Sequence, residues 1–315
     1  MNLIDAYRYL AALEQHRHFG RAAAACHITQ PALSNALRAL ESEFGTAIVR
    51  RGRQYEGLTP EGEQVLSTAH RVLREQELLA QALASGAGQP RGRLAIGCVP
   101  TALPIATRFA ARLVERHPGL VPRVRSLSSQ EIETGLETLA LDLGLGYTDR
   151  VAGHRGKRLQ VWPQYVEHYH LLQRADLPAP GLSFGPPMHW AEAAALPLAL
   201  LSPEMHNRMI LDEVFRGLAL EVRPALETNS ELALLVAVQS GTLAAVLPGA
   251  LVGTVVAQQA LLARPLVEPD LRTPIGFMSA VGARPSRALE AALALAGDAA
   301  WLAHAAAHSG PLRAL

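Results

Sequence analysis

Lysine is almost missing from this 315-residue chain: Lys157 stands alone, so nearly all of the 29 basic residues are arginines. Planar guanidinium groups suit phosphates and base edges, and a GC-rich coding genome produces the same bias. Cysteine is equally scarce, with only Cys26 and Cys98, far apart in sequence. That excludes a disulfide framework and points to a reducing cytoplasm. Charge of either sign is absent from Leu232 to Ala263, a run long enough to span a bilayer. Ser240-Gly241 and Pro248-Gly249 cut it into the lengths of a buried helix, a buried strand and a short helix, so α/β core is expected and no membrane partner. Nor does the beginning read as an export signal, because Asp5 and Arg8 interrupt the apolar run that one needs. The net charge of +1 favours no partner. With 49% hydrophobic and 18% charged residues, the composition is that of a globular protein of two or three compact units.

What is present begins with three short helices. Residues 3 to 16 place Leu3, Tyr7, Leu10 and Leu13 on one face, and Phe19 to Cys26 forms a small alanine-rich helix. "HITQPALSNALRALESEFG" then starts a third, with Thr29 as cap and Pro31 in the first turn. Leu33, Leu37 and Leu40 supply its packing face, while Ser34, Asn35 and Arg38 project polar groups from the rest. A tight connection between the second and third helices describes a helix-turn-helix. "AIVRRGRQYEGLTPEGEQV" adds a β-hairpin, or wing, carrying Arg50, Arg51 and Arg53, and Thr59-Pro60 opens a fourth helix reaching about Ala84. Its stripe of Leu66, Ala69, Leu73, Ala80 and Leu83, flanked by Val65, Val72 and Leu79, is wide enough to want a symmetric copy of itself. Packing on its own wing domain accounts for only the first turn or two. "ASGAGQPRGR", residues 84 to 93, reads as a linker.

Beyond it, strand and helix alternate from "RLAIGCVP" to "LDLGLGYTD" and again from "EHYHLLQRA" onward, which predicts parallel sheet covered by helices. The late strand "TPIGFMSAV" and a closing helix after Pro285 have no place left in the second series, and returning to the first completes two lobes joined by two crossings. The expected divisions are a winged helix-turn-helix over 1–59, a dimerising helix over 60–88, one regulatory lobe from 92–163 with 268–308, and a second from 164–267.

The stretch "FGRAAAACHITQPALSNALRALESEFGTAIVRR…LTPEG" resembles the LysR-type transcriptional regulators, and the likeness runs through the linker helix to "LVAVQSGTLAAVLPGAL". It covers essentially the whole chain. Asn35-Ala36-Leu37 stand where the family often has a basic residue or glutamine, and the wing lacks the common "LFxR". The resemblance implies an all-α winged helix-turn-helix with a linker helix, followed by an α/β two-lobe clamp like that of periplasmic binding proteins. It implies double-stranded promoter DNA and a small-molecule effector as partners, a homodimer with the tetramer as higher assembly, and RNA polymerase as a further candidate partner. Overall likeness within the family leans toward regulators of one-carbon or formate metabolism.

In such a protein the polar face of the third helix enters the major groove. Thr29, Gln30, Ser34, Asn35 and Arg38 are placed to reach base edges and phosphates, and Pro31 to meet a thymine methyl. Arg50, Arg51 and Arg53 then contact phosphate. In the clamp, helices are expected to begin at Thr101, Ser128-Ser129, Ser202-Pro203 and Asn229-Ser230. Converging helix N-termini favour an anionic effector, although each of these residues also serves as an ordinary cap. The resemblance makes Thr101, Ser128, Ser129, Thr228 and Asn229 effector-lining; Tyr147 follows a strand into the same mouth. Ser202, His206 and Arg208 lie at the second-lobe helix, where His206 and Arg208 face either the mouth or solvent.

No enzyme, metal or cofactor is expected. "GLSFG" (181–185) matches a nucleophile-elbow pattern, but the prolines around it place it in loop. His168 and His170 share a strand face without the carboxylates or cysteines of a metal site. Cys98 reads as a small buried residue. The competing function is a cytosolic solute-binding or enzymatic α/β protein with an accessory helical domain, which would not bind DNA.

Overall fold

The computed structural model describes residues 2–52, 55–84, 89–151, 158–175, 181–257, 260–282 and 284–309. The chain divides into two compact units, one built on Met1–Gln89 and the other on Pro90–Leu136 and Leu141–Leu315.

In the first unit, α1 (Leu3–His16), α2 (Phe19–Ala25) and α3 (Gln30–Phe44) precede a two-stranded wing, β1 (Val49–Arg51) and β2 (Tyr55–Leu58), and then α4 (Pro60–Ala84). Tyr7, Leu10 and Leu13 of α1 meet Leu33, Leu37 and Leu40 of α3 in one core. Leu3, expected on that face, is 40% exposed, and Ala6 takes its place. The end of α3 holds the wing directly. Glu41 Oε1 accepts from the backbone N–H groups of Ile48 at 3.0 Å and Val49 at 3.1 Å.

The "LTPEG" stretch has a local physical reason. Thr59 Oγ1 accepts from Gly62 N at 2.9 Å and donates to Ala47 O at 2.7 Å, capping α4 and tying it to the wing. That brings the helix start so close that a Cβ on Gly62 would lie 2.1 Å from the Ile48 carbonyl oxygen. Gly62→Ala should therefore lower stability by ~1–3 kcal/mol in denaturant titrations, because the obstacle is backbone and cannot rotate away. An unchanged midpoint would mean the α4 start moves freely.

The apolar stripe of α4 divides in a way its spacing did not reveal. Ala69 is fully buried, and Val65, Leu66 and Leu73 pack on the core of their own unit. Arg8 of α1 also reaches Gln76 at 2.9 Å. Intramolecular packing thus extends about four turns along α4, well beyond the turn or two expected, because α1 lies alongside it. Val72, Leu79 and Leu83 remain 38%, 61% and 79% exposed.

The second unit opens with β3 (Gly92–Cys98), α5 (Leu103–Arg116), β4 (Leu120–Ser126), α6 (Ser129–Glu137) and β5 (Leu143–Tyr147), with β4, β3 and β5 parallel. A single long strand, β6 (Leu159–Arg174), follows. After β7 (Ser183–Phe184), β8 (Met188–His189) and α7 (Trp190–Ala194) come β9 (Leu198–Leu201), α8 (His206–Gly217), β10 (Leu226–Thr228) and α9 (Glu231–Ser240). The chain closes with β11 (Ala244–Pro248), α10 (Gly249–Val252), β12 (Leu261–Val267), β13 (Arg272–Ala280), α11 (Arg287–Ala296) and α12 (Ala299–Ala307).

Strand order is β10-β9-β11-β6-β13-β5-β3-β4. The first half of β6 pairs antiparallel with β13, which returns to lie beside β5, and the second half pairs with β11 and β12. One strand therefore belongs to both lobes. The uncharged run from Leu232 resolves into α9, β11 and α10, and β11 is buried along its whole length. Alternate residues of β9 and β11 face separate cores: Ala199, Leu201, Ala245 and Leu247 on one side, Leu198, Leu200, Ala244 and Val246 on the other. Helices cover both faces, so these strands carry no polar alternation. No described helix is long and apolar enough to cross a membrane.

Candidate DNA-reading surface and effector pocket

Thr29 caps α3 as its sequence suggests, Oγ1 accepting from Ala32 N at 3.3 Å. Burying Leu33, Leu37 and Leu40 leaves Gln30, Pro31, Asn35 and Arg38 exposed and Ser34 half-buried. Arg38 donates to Asn35 Oδ1 at 3.0 Å, holding the two side chains together one turn apart with the Asn35 amide N–H groups still free to donate. On the wing, Arg50 Nε donates to Leu58 O at 2.6 Å, which anchors its stem while the side chain stays exposed. Arg53 lies outside the described residues, as does the side chain of Arg51.

The second unit contains a pocket of about 360 Å³, a size that suits a small organic molecule. Both lobes contribute. Thr101, Ser128, Ser129 and Tyr147 line it from the first and His206 from the second. Ser202, Thr228 and Asn229 do not line it. The helix expected at Ser202-Pro203 begins at His206 instead, and Ser202 N is committed to Thr228 O at 2.8 Å. Thr228 Oγ1 accepts from Ser230 N at 3.2 Å, and Ser230, rather than the exposed Asn229, caps α9.

Thr101 also departs from its expected role. A 3-10 turn, Pro100–Ala102, precedes α5, so Thr101 caps no helix; it is 1% exposed and hydrogen-bonds Tyr147 Oη at 3.1 Å. Ser128 is a true cap. Its N–H and Oγ bond Glu131 Oε2, and its Oγ accepts from Glu131 N, a reciprocal box that leaves Ser129 at the first position of α6. Ser129 Oγ is buried without a protein partner. Arg208 points away from the pocket, donating to Leu201 O at 2.7 Å, Glu227 at 2.8 Å and Asp212 at 2.8 Å.

Three polar residues that sequence reasoning missed also line it, beside Glu204 and Gln130. Arg150, in the turn after β5, bonds Glu133 Oε1 at 3.0 Å and approaches His206 Nδ1 at 3.4 Å, linking the two lobes. A guanidinium only donates, so Nδ1 must accept and the His206 proton sits on Nε2. Burial first, then Arg150, lowers the His206 pKa, consistent with this neutral ring. Tyr147 meets that ring edge-on at 4.7 Å. Asn207 and Glu231 stand in the first turns of α8 and α9, and burial raises the Glu231 carboxyl. The available signal was position, since each lies shortly after a strand end or in the first turn of a helix.

First turns of α6, α8 and α9 thus present Ser129, His206, Asn207 and Glu231 to one space. The Arg150 guanidinium and the carboxyl groups of Glu204 and Glu231 share that space. Ser183 lies in the short strand β7 beside β12, not on a strand-to-helix elbow. His168 and His170 form no metal cluster among the described residues.

A winged helix-turn-helix carried in one chain with a two-lobed, pocket-bearing α/β unit is the architecture of ligand-responsive transcription regulators. Residues 4–63 match the model of the bacterial regulatory helix-turn-helix protein, lysR family, and residues 87–301 match the LysR substrate binding domain. The chain belongs to the LysR family.

Among relatives, a probable hydrogen peroxide-inducible genes activator of Mycobacterium xenopi is 36% identical over 139 residues, 44% of this chain and 74% of that one. The DNA-binding transcriptional dual regulator OxyR of Escherichia coli is 33% identical over 143 residues, 45% of this chain and 47% of that protein. The match therefore spans about half the length of the latter. A full-length OxyR variant from Pseudomonas aeruginosa superposes with a TM-score of 0.64 at 23% identity, covering 92% of this chain and 95% of that one. Full-length CbnR in complex with its target DNA gives 0.63 at 18% identity, covering 96% and 99%. These likenesses place the fold.

Proposed function

We propose that the protein is a cytoplasmic, promoter-binding transcription regulator, not an enzyme, whose operator binding or activation responds to a small anionic effector. The carrying observation is α3: its leucines are buried, and Gln30, Asn35 and Arg38 stand in solvent on its leading turns, Asn35 and Arg38 joined by a hydrogen bond. Amides read adenine and arginine reads guanine or phosphate from such a position, while Arg50 adds sequence-independent affinity. The effector occupies the pocket beside Thr101, Ser129, Tyr147, Arg150 and His206. Its differential affinity for a closed clamp shifts the regulator's state, and residues 84 to 93 connect that clamp to the dimerising helix.

A gel-shift titration against the divergent promoter beside the gene tests the reading. Tight, salt-sensitive binding is expected, and no binding at any salt would replace it with a solute-binding or enzymatic function. Asn35→Ala or Gln30→Ala should cost ~1–3 kcal/mol on the operator and far less on random duplex. Equal losses on both would remove the base-reading role.

The relatives' peroxide response is not assigned to this chain. Cys98 is fully buried, donates to Arg125 O at 3.5 Å, and burial pushes its thiol up to about 12, so it holds no reactive thiolate.

A further inference from the structure

Behind the pocket lies a buried acid that the effector contacts do not use. Strand alternation places Tyr165, Glu167 and Tyr169 on one face of β6. Cross-strand pairing sets Thr273 opposite Glu167, and Ile275 opposite both Tyr165 and Tyr147, so Tyr147 joins the same face. Glu167 is 0% exposed, and neither its carboxyl oxygens nor Tyr165 Oη meets a protein partner in good hydrogen-bonding geometry, although the Tyr165 hydroxyl is near enough to favour the carboxylate. The titratable groups facing it are Tyr165 and Tyr169 on β6 and Tyr147 on β5, with Asp149 beyond β5 and Cys98 at the end of β3 further out. All are acids. No arginine, lysine or histidine compensates a charge at this position among the described residues.

Two hydrogen-bond paths join the cluster to the pocket wall. Thr101 and Tyr147 bond each other, and Asn207 Nδ2 donates to Tyr169 Oη at 3.2 Å, which in turn meets Thr273 Oγ1 at 3.2 Å. Thr101, Tyr147 and Asn207 all line the pocket. A carboxylate at Glu167 would draw the tyrosine O–H groups inward as donors. A protonated Glu167 is itself a donor and leaves them free to turn outward.

We propose that Glu167 is a proton-holding positioning residue for the effector: while it carries its proton the pocket admits an anion, and when the proton leaves to solvent the anion is expelled. The proposal rests on the anionic reading of the pocket and adds how occupancy is regulated. Burial lifts the Glu167 carboxyl to about 8, outweighing the Tyr165 hydroxyl, which pulls the other way, so the change falls near physiological pH. Binding that requires the protonated form weakens in proportion to its fraction. Affinity should therefore fall about tenfold between about pH 7 and about pH 9.

The test titrates the full-length protein calorimetrically with sodium formate and sodium acetate, whose charge is constant over that range. The parent should lose about tenfold in affinity across it, and Glu167→Gln, a permanently neutral mimic, should bind equally at both ends. The same slope in both proteins would overturn the proposal, because a merely structural glutamate would leave the pH profile untouched. A ligand-free measurement stands beside it, needing no variant: infrared spectra of the parent, with its glutamates isotopically labelled, should show a buried protonated carboxyl at neutral pH that disappears above about pH 8. Its absence at neutral pH would also overturn the proposal. If the band is present but neither salt binds at any pH, the anionic reading itself has failed and the admission role falls with it.

Discussion

Sedimentation of Leu79→Glu is expected to return a monomer, and operator affinity to fall by about 10²-fold or more. Leu73, the centre of the apolar stripe by spacing alone, packs on its own unit, so the surface left for a partner is Val72, Leu79 and Leu83. Those residues recur at seven- and four-residue steps along one side of α4, the pattern of a helix seam. A glutamate inserted there would be buried unpaired against its symmetric copy. Two recognition helices on one dimer bind two half-sites, and uncoupling them forfeits the effective-concentration advantage of ~10²–10⁴. Leu73→Glu, by contrast, should unfold the first unit rather than split a dimer. A Leu79→Glu protein that sediments as the parent does would place the interface elsewhere.

Stability should decline between about pH 6.5 and about pH 8, by roughly 1.4 kcal/mol per pH unit at the steepest. Glu167 has an ordinary value of 4.5 and a folded value of about 8, so the native state holds a proton that the unfolded chain releases. Its stabilising contribution is complete below 4.5 and is lost as pH rises to 8. His170 acts in the opposite sense. Burial lowers its ring from 6.5 to about 4, so the unfolded chain binds the extra proton and stability rises from pH 4 to 6.5. His168, His206 and His304 are lowered as well and reinforce that acid limb. Above 6.5 the histidines no longer contribute and Glu167 dominates the slope, with the raised Glu231 carboxyl acting in the same sense. Denaturant melts of Glu167→Gln should be much flatter than the parent's across that interval, and a variant as steep as the parent would assign the slope to another group.

The first unit was legible because its signals are local. Thr29 and Thr59 cap where a hydroxyl precedes a proline in the first turn, and Leu33, Leu37 and Leu40 mark the buried face of α3. Leu73 misled because a heptad stripe does not say which neighbour covers it, and α1 supplies that neighbour from about sixty residues away. In the clamp, alternation located most strands, including the return of β13. It found the starts at Ser128-Ser129 and Ser230 but failed on two others, since Ser202-Pro203 looks like a cap and Pro100-Thr101 like a first turn. Backbone bonding decided otherwise, committing Ser202 to β10 and winding residues 100–102 into a 3-10 turn. Arg150 and Glu167 were missed because neither belongs to a motif. One is defined by a partner across the cleft, the other by having no cation near it.

The position of β13 also governs how the chain can be made. Residues 272–280 sit in the middle of the first lobe, between β5 and the leading half of β6, whereas every strand of the second lobe comes from residues 159–267. During synthesis the first lobe must wait, with the edges of β5 and of the leading half of β6 that β13 joins still open, until nearly the whole chain has left the ribosome. The second lobe can close earlier on contacts nearer in sequence. A nascent chain stalled once residues up to about 268 have emerged from the ribosome should thus hold a protease-resistant second lobe and a first lobe that chaperones still recognise.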